Sequence, residues 1–135
     1  MINEIEIEVP ADHIDELGHV NNARFLEYFE RGRVDWYNCC GDFLDPKRKP
    51  RLGTVVVNIT VNFCRECFRG DRLRVITRPL SRASKSYMLA QCILNDGGEV
   101  VADAEVTSVV IDLDARKTTP MPGVLAKQFD CSTPE

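Results

Sequence analysis

Long hydrophobic runs are missing from this chain: nothing in its 135 residues approaches the roughly 18 consecutive apolar positions that a membrane helix needs. Its beginning also lacks the basic and apolar regions of a secretory leader, and the two absences together predict a cytoplasmic protein with no membrane role. Basic charge is not in excess either. With 17 Lys and Arg against 21 Asp and Glu, the net charge of −4 argues against general nucleic-acid binding. No Ser/Gly/Pro-rich linker and no internal repeat divides the chain, so residues 1–135 read as one domain. No glycine-rich phosphate loop follows a strand, and no serine sits in a nucleophile elbow, which removes two common enzyme classes. In a reducing compartment the six cysteines (39, 40, 64, 67, 92 and 131) read mostly as small buried apolar residues. Cys64-x-x-Cys67 with Cys39-Cys40 is the one arrangement that suggests a metal. Adjacent side chains at a helix end diverge by about 100°, and a strand alternates its side chains, so these four thiols would not converge. No metal and no organic cofactor is expected.

What the chain does contain is Asp15-Glu16-Leu17-Gly18-His19-Val20-Asn21-Asn22: a carboxylate, a glycine turn and two capping amides directly before an amphipathic segment. From Ala23 to Cys40, Phe25, Phe29, Gly32 and Trp36 recur at spacings of four, three and four residues, which is helical period. Asn21 or Asn22 caps the first turn, and Gly41 supplies a left-handed stop. At roughly 1.5 Å per residue this helix would span on the order of 27 Å. A glycine inside an exposed helix costs about 1 kcal/mol relative to Ala, so Gly32 on the apolar stripe implies a backbone pressed closely against a neighbouring sheet. Glu30 and Arg33, three apart, suit an intrahelical pair or a brace for the preceding loop. The helix start sets Asp15 beside a positive dipole end. On residue types alone, however, Asp15 also reads as a turn carboxylate, His19 as a structural histidine, and Asn21 or Asn22 as a simple cap.

The rest of the chain reads as strands. In Glu4 to Val9, Ile5, Ile7 and Val9 alternate with Glu6 and Glu8, the pattern of a half-buried strand. Four more follow at Gly53–Phe63, Arg72–Pro79, Ser84–Leu94 and Val100–Asp112, divided by turn chemistry at Arg69-Gly70-Asp71, Leu80-Ser81-Arg82 and Asn95-Asp96-Gly97-Gly98. Short connections favour antiparallel neighbours. One strand, one long helix and four strands predict an α+β domain whose antiparallel sheet buries one face against the helix. One further turn of helix is expected near Val124–Phe129.

Asp15-x-x-Gly18-His19-Val20-Asn21-Asn22 followed by Phe25-Leu26-x-Tyr28-Phe29-Glu30-x-x-Arg33 resembles the hotdog-fold acyl-CoA thioesterases of the 4-hydroxybenzoyl-CoA thioesterase type. The similarity continues through Gly70-Asp71-x-Leu73-x-Val75, Val101-Ala102-x-Ala104, Ile111-Asp112 and Pro122, covering nearly the whole chain. It implies a curved antiparallel sheet of about five strands wrapped around one long central helix. It also implies active sites at a protomer interface, a homodimer as the minimal active unit, and a homotetramer built from it. The family's catalytic carboxylate maps to Asp15, as nucleophile on the thioester carbonyl or as base for the attacking water. Its carbonyl-polarising backbone N–H maps to Asn22, with Asn21 and His19 shaping the approach.

The resemblance also implies a substrate, an acyl-CoA thioester hydrolysed to a free acid and coenzyme A. Phe25, Leu26 and Phe29 would line the acyl pocket, and the strand bearing Val57, Ile59 and Val61 would carry the pantetheine arm. Arg82 and Lys85 in one strand connection, with Arg116-Lys117 after the last strand, are the cations placed to meet coenzyme A phosphates. Two positions depart from the family pattern. His13 stands where many relatives have a second Asp, which makes it a hydrogen-bond partner for Asp15, a proton carrier or an unrelated surface residue. Phe25 stands where relatives often have Tyr, which removes a hydroxyl and favours more apolar acyl groups. An acyl-carrier-protein thioesterase and a non-hydrolysing acyl-CoA-binding module are the alternative readings.

Overall fold

A computed structural model describes residues 1–130, so Cys131 lies outside the described residues. Strand β1 (Asn3–Glu8) leads through a short 3₁₀ turn (Ala11–His13) and a loop into helix α1 (Asn22–Cys39). Strands β2 (Leu52–Phe63), β3 (Arg72–Arg82), β4 (Ser86–Leu94) and β5 (Val100–Asp112) follow, then the two-residue β6 (Lys117–Thr118) and helix α2 (Gly123–Asp130). All pairings are antiparallel in the order β1-β3-β4-β5-β2, with β6 added beside β5. The architecture is α+β, as expected. Among the described residues, no helix is long and apolar enough to cross a membrane.

The strand order explains where α1 must lie. Its preceding strand β1 and following strand β2 occupy opposite edges, so the chain crosses the sheet between them, and α1 packs on β1, β3 and β4. Phe25, Tyr28 and Phe29 from its first half join Leu73, Val75, Ile93 and Val106 of the sheet in one apolar cluster. Trp36 and Tyr37 from its second half join Phe43, Tyr87, Leu89 and Leu125 of α2 in another. Between the clusters the helix comes closest. A Cβ placed on Gly32 would meet Val75 Cγ1 at 2.8 Å, with Gln91 Nε2 and Thr77 Oγ1 each at 3.1 Å. The missing side chain is therefore what lets helix and sheet touch.

A buried polar layer crosses this contact. Gln91 donates through Nε2 to the Phe29 carbonyl (2.9 Å) and to Thr77 Oγ1 (2.9 Å), while its Oε1 accepts from Arg33 Nη1 (3.0 Å). Arg33 thus turns inward to Gln91 instead of forming the expected pair with Glu30, and burial pushes its guanidinium below the ordinary value. Satisfying each member keeps the layer from costing the desolvation of unpaired groups.

The helix limits agree with expectation to one residue. Asn21 is the cap, its Oδ1 accepting from Ala23 N at 2.8 Å, and Gly41 has a φ of +123° just past the end. Strand β3 is the main correction. A turn was expected at Leu80-Ser81-Arg82, yet β3 continues to Arg82, with a bulge between Pro79 and Ser81. β1 pairs with β3 only as far as Thr77, so Pro79 lies where β3 has become an edge and its absent N–H leaves no ladder bond unmade. The reversal falls instead at residues 83–85, where Ala83 N donates to Ser86 O at 2.8 Å.

Candidate active site

The loop between Ile14 and Val20, which pair as an isolated antiparallel bridge, is shaped by Asp15 itself. Its Oδ1 accepts from Leu17 N at 2.9 Å, its carbonyl accepts from Gly18 N at 3.0 Å, and its N–H donates to the His19 carbonyl at 2.9 Å. Such a side-chain turn is what Asp does best, and it needs a left-handed residue to close it. Gly18 supplies that with a φ of +86°. Val20 N then donates to the Cys67 carbonyl at 2.9 Å, fastening the loop to the segment after β2.

This folding leaves Oδ2 of Asp15 free and brings it 3.7 Å from His19 Nε2. The other ring nitrogen, Nδ1, lies 2.8 Å from Glu66 Oε1. Asp15 and His19 are partly shielded, with side chains 22% and 26% exposed, which allows a water or substrate to reach them. His19 opens onto a cleft of about 240 Å³ lined also by Asn22, Phe25, Phe63, Cys64, Arg65 and Glu66. A larger concavity of about 520 Å³ lies on the sheet and is lined by strand residues alone, without a helix terminus.

The start of α1 completes the cleft. Of its early N–H groups, Ala23 N is taken by the Asn21 side chain and Arg24 N by the Asn21 carbonyl at 2.9 Å. Asn22 N has no partner among the described residues, and no acidic side chain occupies the first turn. An unpaired amide at an uncompensated positive helix end is a ready site for developing negative charge on a carbonyl oxygen.

Residues 9–129 match the family model of the thioesterase-like superfamily. The chain belongs to this superfamily. It is 36% identical over 126 residues to the long-chain acyl-CoA thioesterase FadM of Escherichia coli strain K12, covering 93% of this chain and 95% of that protein. The thioesterase-like chain also superimposes on Slr0204, a 1,4-dihydroxy-2-naphthoyl-CoA thioesterase from Synechocystis, with a TM-score of 0.85 at 19% identity, covering 98% of both. A Staphylococcus aureus protein, SAV2348, solved with CoA, gives a TM-score of 0.87 at 16% identity, covering 95% of this chain and 81% of that one. At such identities these two show the shared hotdog fold.

The superfamily site drawn from the sequence comes together only in part. His19, Asn22 and Phe25 converge on the cleft, with Asp15 behind His19 and outside the lining; Phe25 is 3% exposed with its ring 5.8 Å from that of Phe63. Asn21 is spent on capping. Phe29 is fully enclosed in the core, and Ile59 packs against the same cluster, so neither lines the cleft. Val57 is the extra residue of a β2 bulge, 57% exposed at the sheet edge. Arg82 and Lys85 lie at the far end of β3 and its turn, ten residues or roughly 33 Å of strand from the end nearest the loop. There Arg82 holds both carboxylate oxygens of Asp130, at 2.9 and 2.8 Å. His13 does not turn to Asp15: its Nδ1 is 2.7 Å from the Tyr28 hydroxyl and the two rings stack. Burial pushes that Tyr28 phenol up to about 12, so it stays a neutral partner.

Glu66, Phe63 and Arg65 also line the cleft and are not among the site residues expected from the sequence. Their segment carries the Cys64-x-x-Cys67 spacing, which suggests a metal, whereas the charged residues between the cysteines are the ones that share the cleft with His19. Cys64 is exposed and Cys67 buried, burial pushing the latter thiol up to about 11 and leaving it inert at neutral pH.

Proposed function

We propose that this protein hydrolyses an acyl-CoA thioester to the free acid and coenzyme A, with Asp15 as general base and Asn22 N–H polarising the carbonyl. The observation that carries this reading is one juxtaposition: a carboxylate–imidazole contact beside the Asn22 amide, which has no partner among the described residues, in a chain of the thioesterase-like superfamily. Of the two roles left open for Asp15, the base is favoured by position. Its free oxygen faces His19 and it does not line the cleft, whereas a nucleophile must touch the carbonyl carbon at about 3–3.5 Å. FadM's action on long-chain acyl-CoA supports a CoA ester as substrate here. Thiol release from acetyl-, decanoyl- and hydroxybenzoyl-CoA tests the proposal, and matched carrier-protein esters test the choice of thiol. Turnover of the CoA esters, with decanoyl preferred because of Phe25, is the expected result. Equal rates on all three would remove the apolar preference, and tight binding without turnover would make the chain a binding module.

The active unit in this reading is a dimer joined through β2, with α1 as the central helix of each hotdog. β2 is an edge strand of 12 residues, and Val55, Val56 and Val57 stand 39%, 43% and 57% exposed along it. A long apolar edge left open would be an aggregation site, and pairing with a second copy removes it. Two antiparallel β2 strands also place the Phe63 end of one copy opposite the Leu52 end of the other. That end neighbours the β3–β4 turn, since Ser86 and Val55 both face Val109 of β5. Lys85 of a second copy therefore approaches the cleft that Lys85 of the same chain cannot reach, as coenzyme A phosphates require. Val55→Lys with Val57→Lys is expected to yield a monomer by analytical ultracentrifugation and a loss of at least about ten-fold in turnover. A fully active monomer would remove the interface from the mechanism. The dimers assemble further into a homotetramer in the same proposal, and the exposed thiols of Cys39 and Cys64 fit a cytoplasmic, reducing setting.

A further inference from the structure

We propose that Glu66 is a positioning residue that makes His19 the proton carrier between Asp15 and the leaving sulfur. This rests on the base reading of Asp15. The contact of 2.8 Å between Glu66 Oε1 and His19 Nδ1 fixes which ring nitrogen carries the permanent proton, because a carboxylate accepts and Nδ1–H must donate. Nε2 is then the nitrogen that takes up and releases a proton. It lies 3.7 Å from the one Asp15 oxygen not engaged in the turn, and His19, not Asp15, lines the cleft. The charged and titratable groups facing the imidazole are Asp15 on its own loop and Glu66, Arg65 and Cys64 from the segment after β2. From α1 it meets Asn22 and Phe25, which do not titrate.

Glu66 is 63% exposed, but the backbone on either side of it is anchored. Cys64 N and Arg65 N both donate to the Val101 carbonyl, at 2.8 and 3.2 Å, and Cys67 O accepts from Val20 N on the catalytic loop itself. Arg65 is drawn away from the carboxylates by Glu99, at 3.1 Å. The segment after β2 thus holds Glu66 at a fixed place relative to His19. Exposed ion pairs add little stability, so the consequence of this contact is expected in the rate and not in folding.

A water gives one proton to Asp15 as its oxygen bonds to the thioester carbonyl carbon. Asp15 passes that proton to His19 Nε2. The tetrahedral intermediate collapses, the C–S electron pair leaves with sulfur, and Nε2–H gives the proton to the thiolate. The products are the acid and coenzyme A thiol, with Asp15 ionised and His19 neutral again.

The test is a double-mutant cycle in kcat and KM on a CoA ester that the wild type hydrolyses, using His19→Gln, Glu66→Gln and the combination. General acid–base residues contribute about a hundred-fold or more, so His19→Gln is expected to lower kcat on that order and Glu66→Gln, whose amide can donate to Nδ1 as readily as accept from it and so no longer fixes the tautomer, about ten-fold. KM and the melting midpoint should stay unchanged for Glu66→Gln, and Glu66→Asp should recover part of the rate. In the His19→Gln background Glu66→Gln should have no further effect, because its influence passes through the imidazole. Independent, multiplying losses would overturn the positioning role, as would a Glu66→Gln enzyme with wild-type kcat. Either result would leave the hydrolase reading intact if Asp15→Asn is still impaired; absence of any wild-type turnover would instead remove that reading itself.

Discussion

Asp15→Asn is expected to lower kcat for acyl-CoA hydrolysis by about a hundred-fold or more, a loss of about 2.7 kcal/mol of transition-state stabilisation. The substitution is unusually clean at this position. The Asn Oδ1 can still accept from Leu17 N, so the turn that Asp15 builds, including the bond from Gly18 N to its carbonyl, survives. What changes is the atom 3.7 Å from His19 Nε2, which ceases to be a proton acceptor and becomes an amide donor. Thiol release measured with both proteins at the same oligomeric state checks the prediction. A loss in kcat with KM preserved assigns Asp15 to the chemical step. Equal activity would move hydrolysis to another group, and His19 would be the first suspect. His13, which is nearer in sequence, is excluded from that place by its contact with Tyr28.

His13 and Glu66 show which parts of the site were legible in the sequence and which were not. Asp15, His19, Asn22 and Phe25 lie within one stretch of eleven residues, where loop closure and helical period decide most neighbours, so their convergence could be read locally. Glu66 is 47 residues from His19, and nothing in its own segment says which way the chain will bring it. The bond from Val20 N to Cys67 O does that, and it is a tertiary contact between two loops. His13 failed for the opposite reason. It is near Asp15 in the chain, but it ends the 3₁₀ turn Ala11–His13, and its ring lies against Tyr28 on α1.

The fold was more readable because alternation and helical period report burial directly. Val100–Asp112 and the ends of α1 were placed within a residue, and Gly32 pointed to the closest helix–sheet contact before any partner was known. β3 was misjudged at Pro79 because sequence cannot show that β1 ends its pairing at Thr77 and turns this half of β3 into an edge. Arg82 was misplaced for a related reason. Its charge was legible, but Asp130 on α2 takes both of its forks. The resemblance implies a pocket-lining Phe29, whereas its helical period already sets it on the apolar stripe, the face pressed on the sheet.

Asn22→Pro is expected to reduce kcat by a further large factor of about a hundred- to thousand-fold, corresponding to roughly 2.7–4 kcal/mol for one oxyanion donor. The helix start has already committed two of its early amides. Asn21 consumes Ala23 N with its side chain and Arg24 N with its carbonyl, which leaves the N–H of Asn22 as the amide free to meet the carbonyl oxygen. Proline removes only that N–H from the backbone inventory. Asn22 is the first helical residue, where proline is well tolerated, and Asn21 already has φ −62° and ψ 139°, the extended conformation a residue before proline prefers. Circular dichroism should therefore report an intact helix while activity collapses. Asn22→Ala keeps the N–H and loses the side chain, so its loss in kcat should be smaller than that of Asn22→Pro by at least about ten-fold. If the two variants lose activity equally, the Asn22 side chain is what matters, and carbonyl polarisation by the helix start is wrong. If both keep wild-type rates, the oxyanion is held by a donor from elsewhere in the protein, and the uncompensated end of α1 serves the fold alone.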